Sequence, residues 1–317
     1  MRVSRHWAGV AAKRGAVVSI GVFDGVHLGH QAILAANVAR ARALDAEATV
    51  VTFASHPKQV LLGRAPRTLT SLDHRLELFA AAGIDHTLVL EFDEQLREFS
   101  SERFAREILE QGLGSRAFVL GFDSKFGRDR RGTPESLRAL GFDVTVVEKV
   151  LIGQRAVSST AIREAVELGD LESARAMLGR AVSVLGRVVH GAALGRELGF
   201  PTANIDPDHE LEPPGGVYSC WVRIVREPRP VPSRGAQLHP AVANIGSRPT
   251  VTPGLPERSR LEVHLIDFVG DLYGATLEVQ FVGRLRAEQR FESVAALRAQ
   301  IGRDVEAARA KLSSALG

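Results

Sequence analysis

The change of hydrophobic rhythm near residue 183 constrains the fold more than any other feature of this sequence. From residue 17 to about 148, apolar runs alternate with amphipathic stretches. The order is VVSIGVF, QAILAANVARARAL, ATVVTFA, HRLELFAAAG, HTLVLEF, SERFAREILEQG, AFVLGF, PESLRALG and DVTVVEKV. Short apolar runs bounded by turn residues read as strands, and longer periodic stretches as helices. Their alternation predicts βαβ units, hence an α/β unit with a parallel, Rossmann-like sheet covered on both faces. Beyond residue 183 the runs are VSVLGRVVH, GVYSCWVRIV, HPAVANIG, LEVHLIDF and ATLEVQFVGRL, separated by Gly- and Pro-rich turns. That spacing predicts a small antiparallel β-barrel. Residues 292–311 form a closing amphipathic helix, with Val294, Leu297, Ile301 and Val305 on one side. The expected domains are therefore 1–182 and 183–317, in line with a length of 317 residues.

Composition narrows the function classes. Hydrophobic residues make up 45% and charged residues 24%, the balance of a globular protein with a real core. Net charge is +3, with 35 arginines against five lysines, so a lone arginine says little about phosphate binding. No basic block or aromatic-interleaved patch points to nucleic acid. The single Cys220 excludes an internal disulfide and a cysteine-cluster metal site. No apolar run is long enough for a spanning helix, and residues 1–15 lack the apolar core of a signal peptide. The expectation is a cytoplasmic protein acting on small molecules, with no membrane partner and with a homo-oligomer left open.

In the first half, chemistry-bearing residues gather just past the strand ends, where ligands of open α/β sheets bind. After the first strand comes GVFDGVHLGH, with His27 and His30 one helical turn apart. Gly21, Gly25 and Gly29 remove bulk where a ligand would approach the backbone, and a helix N-terminus suits phosphate. After the second strand, Pro57 holds His56 extended. After the fourth, Asp123 lies between Phe122 and Phe126, whose rings suit either stacking on a flat ligand ring or pinning the loop to the sheet. Further on, Ser158, Ser159 and Thr160 precede Ala161-Ile162-Arg163, which fits helix capping and phosphate binding equally.

The GVFDGVHLGH stretch resembles the signature of the nucleotidyltransferase superfamily, in the form found in bacterial bifunctional riboflavin kinase/FMN adenylyltransferases. The resemblance implies ATP contacts from Gly21, Phe23, Asp24, Gly25, Gly29, Ser159 and Thr160, and flavin contacts from His56, Pro57, Asp123 and Phe126. His27, His30 and Arg163 would align the phosphates and neutralise their charge, with Ser159 and Thr160 holding the leaving pyrophosphate. The chain departs from the family's pattern at Ala54 and Ser55, and at Ala161, where many relatives carry arginine.

The second half carries GRVVHG, then LGFPTANID, ANIGSRPT and RLEVHL. Glycine-rich turns let amides approach phosphates. Thr202 and Asn204, two apart on an extended run, offer oxygens to one side, where they could ligate Mg²⁺. These segments resemble the riboflavin kinase half of the same family. That implies ATP contacts from Gly186, Gly191, Gly199, Thr202 and Asn204, a Mg²⁺ site at Thr202 and Asn204, and Glu262 as base for the riboflavin 5′-hydroxyl. Arg286 and Arg290 resemble a flavin-side element. The expected protein makes FMN from riboflavin and ATP, then FAD from FMN and ATP. The alternatives are an enzyme retaining one of these activities and a flavin sensor without turnover.

Overall fold

The computed structural model describes residues 1–190, 194–207, 211–226, 237–247 and 259–314. Gly191 and the Arg248-Pro249-Thr250 segment lie outside them. The chain divides into two compact units, Met1–Ser159 and Thr160–Gly317. This division falls earlier than the boundary expected from the change of texture. The two helices before the barrel, α7 (Ser159–Glu167) and α8 (Leu171–Leu178), group with it, and α8 packs against its strands.

The first unit is a six-stranded parallel sheet. Its strands are β1 (Arg2–Ser4), β2 (Ala16–Ile20), β3 (Glu47–Phe53), β4 (His86–Leu90), β5 (Ser115–Gly121) and β6 (Asp143–Val147), in the order β1-β4-β3-β2-β5-β6. Each of the central strands is buried on both faces, as in a sheet covered by helices. On one face, Val17, Val50, Ala48, Ala117 and Val119 pack under α1 (Leu28–Ala43) and α3 (Leu72–Ala81), with α2 (Lys58–Leu62) before α3. The other face, through Val18, Ile20, Val51, Leu88 and Phe118, packs on Leu96 of α4 (Glu94–Arg97) and on the segment after it. That segment runs as α5 (Ser101–Arg103) into a π-helical stretch, Phe104–Gly112, which buries Phe104, Ala105, Ile108 and Leu109. Helix α6 (Pro134–Ala139) opens with a capping box between Thr133 and Ser136. The chain steps left from β2 to β3 and right to β5, so the loops after β2 and β5 part at a topological switch.

The second unit is a closed antiparallel barrel in the order β10-β13-β12-β11-β14-β9, as expected. A two-stranded hairpin, β7 (Leu151–Ile152) and β8 (Arg155–Ala156), precedes it in the chain and belongs to the first unit. The barrel strands are β9 (Val182–Val189), β10 (Ala203–Pro207), β11 (Gly216–Arg226), β12 (Leu238–Ser247), β13 (Ser259–Leu265) and β14 (Thr276–Arg286). A short helix, α9 (Leu194–Glu197), lies between β9 and β10, and α10 (Val294–Ser314) closes the chain. The interior is filled by alternate residues, among them Val184, Ile205, Cys220, Ala241, Ala243, Leu261, Val263 and Val279, all buried. Burial pushes the Cys220 thiol up, so it is an inert core group rather than a nucleophile. Outside the barrel, Val217, Val242 and Ile266 pack against Val305 and Ala308 of α10.

Candidate active sites

The loop after β2 is held in a strained shape. Phe23 (φ 53°) and Val26 (φ 39°) adopt left-handed backbone that side chains disfavour, alongside Gly25 (φ 80°). Such strain persists only where surroundings enforce it, and here they do. The Phe23 ring packs edge-on against Phe79 and His30, at 5.5 and 5.1 Å between centroids. The buried Asp24 carboxylate accepts from the amides of Leu69 (2.8 Å) and Thr70 (3.1 Å), while the Gly25 amide donates to Thr70 Oγ1 (2.9 Å). Asp24 was expected among the ATP contacts. Both amides reach its Oδ1, and these bonds fix the turn.

Arg75, on α3, completes that support and had been read only as part of an amphipathic helix. It is 4% exposed and donates to Val22 O (2.7 Å), Thr52 Oγ1 (3.1 Å) and Phe53 O (3.2 Å), tying the ends of β2 and β3 together. Burial lowers its pKa, an effect the nearby Asp24 opposes. Ser159, the last residue of the first unit, donates through Oγ to the carbonyl of Asp24 (2.9 Å).

His27 is the N-cap of α1. Its Nδ1 accepts from the His30 amide at 3.3 Å, and the two imidazoles stack 3.6 Å apart at 17°. The cap fixes the tautomer: Nδ1 accepts, so Nε2 carries the proton and is a donor. A Cβ on Gly29 would lie 3.2 Å from the His27 ring, so the glycine makes room for the stack. Gly21 likewise leaves space for the Phe23 ring, 3.1 Å from where its Cβ would be.

Beside this turn a cavity of about 250 Å³ opens at the carboxyl ends of the strands. Its floor is apolar, from Ile20, Phe53, Phe92, Leu96, Phe104 and Phe126, and its rim carries His56, Lys58, Arg97, Lys125 and Arg130. Pro57 lines it too, whereas Asp123 is exposed and lies outside the lining. Phe126 is 8% exposed, packs on Phe104 at 5.7 Å between centroids, and lines the cavity. Phe122 is half-exposed and outside the lining.

In the second unit, strand register assembles a polar row from separated segments. Glu262 on β13 pairs with Asn204 on β10 and with Asn244 on β12, so Asn204, Glu262 and Asn244 stand side by side. The row continues through Val217 to Arg286 on β14. This outer surface and α10 enclose a cavity of about 310 Å³, lined by Thr202, Asn244, Glu262, His264, Arg286, Phe291 and apolar residues of α10. Thr202 also lines a second cavity of about 460 Å³ with Val188, Pro201, Phe268, Asp271 and Tyr273. Thr202 therefore stands between two spaces, one apolar and half enclosed, one more polar.

Gly186 and Arg290 lie outside the linings of these two cavities, whereas Arg286 lines the first. Gly186 lies within β9 rather than in a loop, and a Cβ there would sit 2.4 Å from Asp206 O, so it serves close strand approach. Arg286 is engaged by Asp304 of α10 through Nε (3.0 Å) and Nη2 (2.8 Å), and Gln300 Nε2 donates to the same carboxylate (2.8 Å). It shapes the cavity wall as half of a fork-to-fork pair. Arg290 is exposed and outside the lining. Gly199 has φ +85°, which the turn before Phe200 requires. Gly195, bracketed in sequence only as part of the glycine-rich stretch, lies 2.5 Å (as a would-be Cβ) from Phe200 O and 2.9 Å from Thr202 Oγ1.

The comparisons with known proteins agree with both halves. A family profile described as FAD synthetase matches residues 10–161, and one described as riboflavin kinase matches residues 178–312. A bifunctional riboflavin kinase/FMN adenylyltransferase of Pseudomonas fluorescens is 40% identical over 301 residues, covering 94% of this chain and 93% of that protein. The chain belongs to the bifunctional riboflavin kinase/FMN adenylyltransferase family. The enzyme of the same description from Escherichia coli K12 is 37% identical over 96% of this chain and 95% of its own length, and that of Bacillus subtilis 32% over 92% and 91%. A solved structure described as a macrolide-efflux protein from Streptococcus pneumoniae superposes with a TM-score of 0.81 at 31% identity, covering 97% and 98% of the two chains. Among the described residues of this chain, no helix is long and apolar enough to cross a membrane. As a riboflavin kinase/FMN adenylyltransferase, the protein uses ATP, riboflavin and FMN and makes FMN and FAD.

Proposed function

We propose that the barrel unit phosphorylates riboflavin at the Thr202–Glu262 site and that the α/β unit adenylylates FMN at the His27–His30 turn. The observation that carries the first assignment is the placing of Thr202 between two cavities, with the Asn204–Glu262–Asn244 row beside it. The apolar cavity under α10 suits a flat flavin ring, and the more polar one suits ATP. Glu262 accepts the proton of the riboflavin 5′-hydroxyl as its oxygen attacks the γ-phosphorus; the bridge to the β-phosphate breaks and ADP leaves. Among the described residues no group of three or more His, Cys, Asp or Glu side chains could hold a metal by itself. The neutral oxygens of Thr202 and Asn204 do fit Mg²⁺, a hard cation that retains waters and shares phosphate oxygens. Bound there, it would neutralise charge on the phosphates.

In the α/β unit the FMN phosphate oxygen attacks the α-phosphorus of ATP, and pyrophosphate leaves. The nucleophile is already an anion, so alignment and charge neutralisation suffice. The His27 Nε2–H and the N-terminus of α1 supply donors at one point. The apolar cavity with its rim of cations would take the isoalloxazine and its phosphate. Thr160 and Arg163 follow Ser159 directly in the chain, and their proposed grip on pyrophosphate rests on the SSTAIR motif. ATP as common substrate favours the cytoplasm. The test is one chromatographic assay with riboflavin, ATP and Mg²⁺, following FMN and then FAD. Ordered appearance of both supports the assignment; FMN production by a Thr202→Ala protein at the wild-type rate overturns it for the barrel.

A further inference from the structure

His264 lies on β13 two residues beyond Glu262 and lines the same cavity, yet no step of the reaction uses it. Its Nδ1 is 2.8 Å from the carbonyl oxygen of Pro201, and its ring meets Phe200 edge-on at 5.6 Å. A carbonyl only accepts, so Nδ1 carries the proton and donates it. We propose that His264 is a positioning residue for riboflavin phosphorylation, acting by bolting the Phe200-Pro201-Thr202 turn to the strand that carries Glu262. The inference rests on the reading of Thr202 and Glu262 as the kinase site.

The ladder between β10 and β13 stops just short of Thr202. Pairing of β10 with β13 begins at Ala203 opposite Val263, so Thr202 stands one residue outside it. Pro201 has no N–H, and the turn can be anchored there only through its carbonyl. Two bonds hold the residues just before Thr202: the Phe200 amide donates to Gly195 O (2.8 Å), and His264 Nδ1 donates to Pro201 O (2.8 Å). The first holds the turn to α9; the second ties it to β13 just ahead of the ladder that starts at Ala203. The separation of the Thr202 hydroxyl from the Glu262 carboxylate is therefore set from one end by the ladder at Ala203 and from the other by the His264 imidazole. Transferring a phosphoryl group across such a gap tolerates little error, and a displacement of about 1 Å can cost about a hundredfold in rate.

The full chain with His264→Leu or His264→Asn tests this. Asn and Leu are close in shape, but only Asn places an N–H near the position of Nδ1–H. We expect His264→Leu to lower kcat for riboflavin phosphorylation by about 10- to 100-fold with a smaller change in the riboflavin KM. His264→Asn should recover most of that loss. Adenylylation of supplied FMN should be unchanged in both, which also reports that the chain is folded. Equal losses in the two variants, or wild-type kcat in His264→Leu, overturn the inference. Thr202→Ala in the same series separates the cases: if it retains phosphorylation, the site reading itself is at fault, and if it fails while His264→Leu does not, only the role of His264 is.

Discussion

The two units build their sites in opposite ways. In the α/β unit one contiguous turn, Gly21 to His30, carries the histidine pair, and its neighbours act by holding its backbone: Asp24 through Leu69 and Thr70, Arg75 through Val22, Thr52 and Phe53. In the barrel, no single segment is a site. Thr202 and Asn204, Asn244, and Glu262 come from three strands and meet only through register. A one-residue slip would send a strand's whole set to the other face. The first design concentrates specificity in one strained loop. The second distributes it over a closed sheet, where closure fixes register by leaving no strand free to slide.

The sharpest way to break that contrast is to disable one site and watch the other. Glu262→Gln should lower riboflavin phosphorylation by about 10²- to 10⁴-fold, the usual worth of a general base, while FMN supplied from outside is still adenylylated. A parallel fall in adenylylation would show that the sites do not act separately. His27→Ala should do the converse. Loss of the N-cap and of one donor should cost about 10²- to 10³-fold in FAD formation, with FMN accumulating at the normal rate in a chromatographic time course.

Legibility followed the same division. The alternating strands, the barrel and the turn with His27 and His30 were visible because each is a local pattern. The buried Arg75 was not, since the carbonyl and hydroxyl groups that accept from it come from β2 and β3 ends far along the chain. Strand β1 was missed because three residues, Arg2 to Ser4, carry no apolar rhythm, and only parallel pairing with β4 makes them a strand. Asp304 shows the same limit on α10: a lone acid in a helix reads as surface, yet it is 5% exposed because Arg286 faces it. Replacing it sharpens the point. Asp304→Asn leaves the Arg286 guanidinium half-buried with a neutral partner, and the wall of the proposed flavin cavity should loosen. The expected result is a riboflavin KM raised about tenfold, with kcat nearly unchanged, in steady-state kinetics.

The smallest effect concerns the far edge of the parallel sheet, away from either site. His86 is 1% exposed, bonded through Nε2 to Ser4 Oγ at 2.7 Å, and is the residue that anchors β4 opposite Arg2. Burial first, and Arg2 second, lower its pKa from 6.5 to about 4, against an opposing pull from Glu47. The folded protein thus keeps His86 neutral where the unfolded chain takes up a proton. Stability from this group is complete above pH ~6.5, declines as the pH falls towards ~4, and changes no further below that. Between pH 7 and 5.5 the loss amounts to about 1 kcal/mol for one such group. The fluorescence of Trp7, which packs edge-on against Phe99, can report it once Trp221→Phe removes the tryptophan of the barrel. In urea titrations the midpoint should fall over that pH range, and His86→Gln, which keeps a polar group near Nε2 without a titrating ring, should flatten the fall. An unchanged pH slope in His86→Gln would place the acid sensitivity of the sheet elsewhere than its β1–β4 edge.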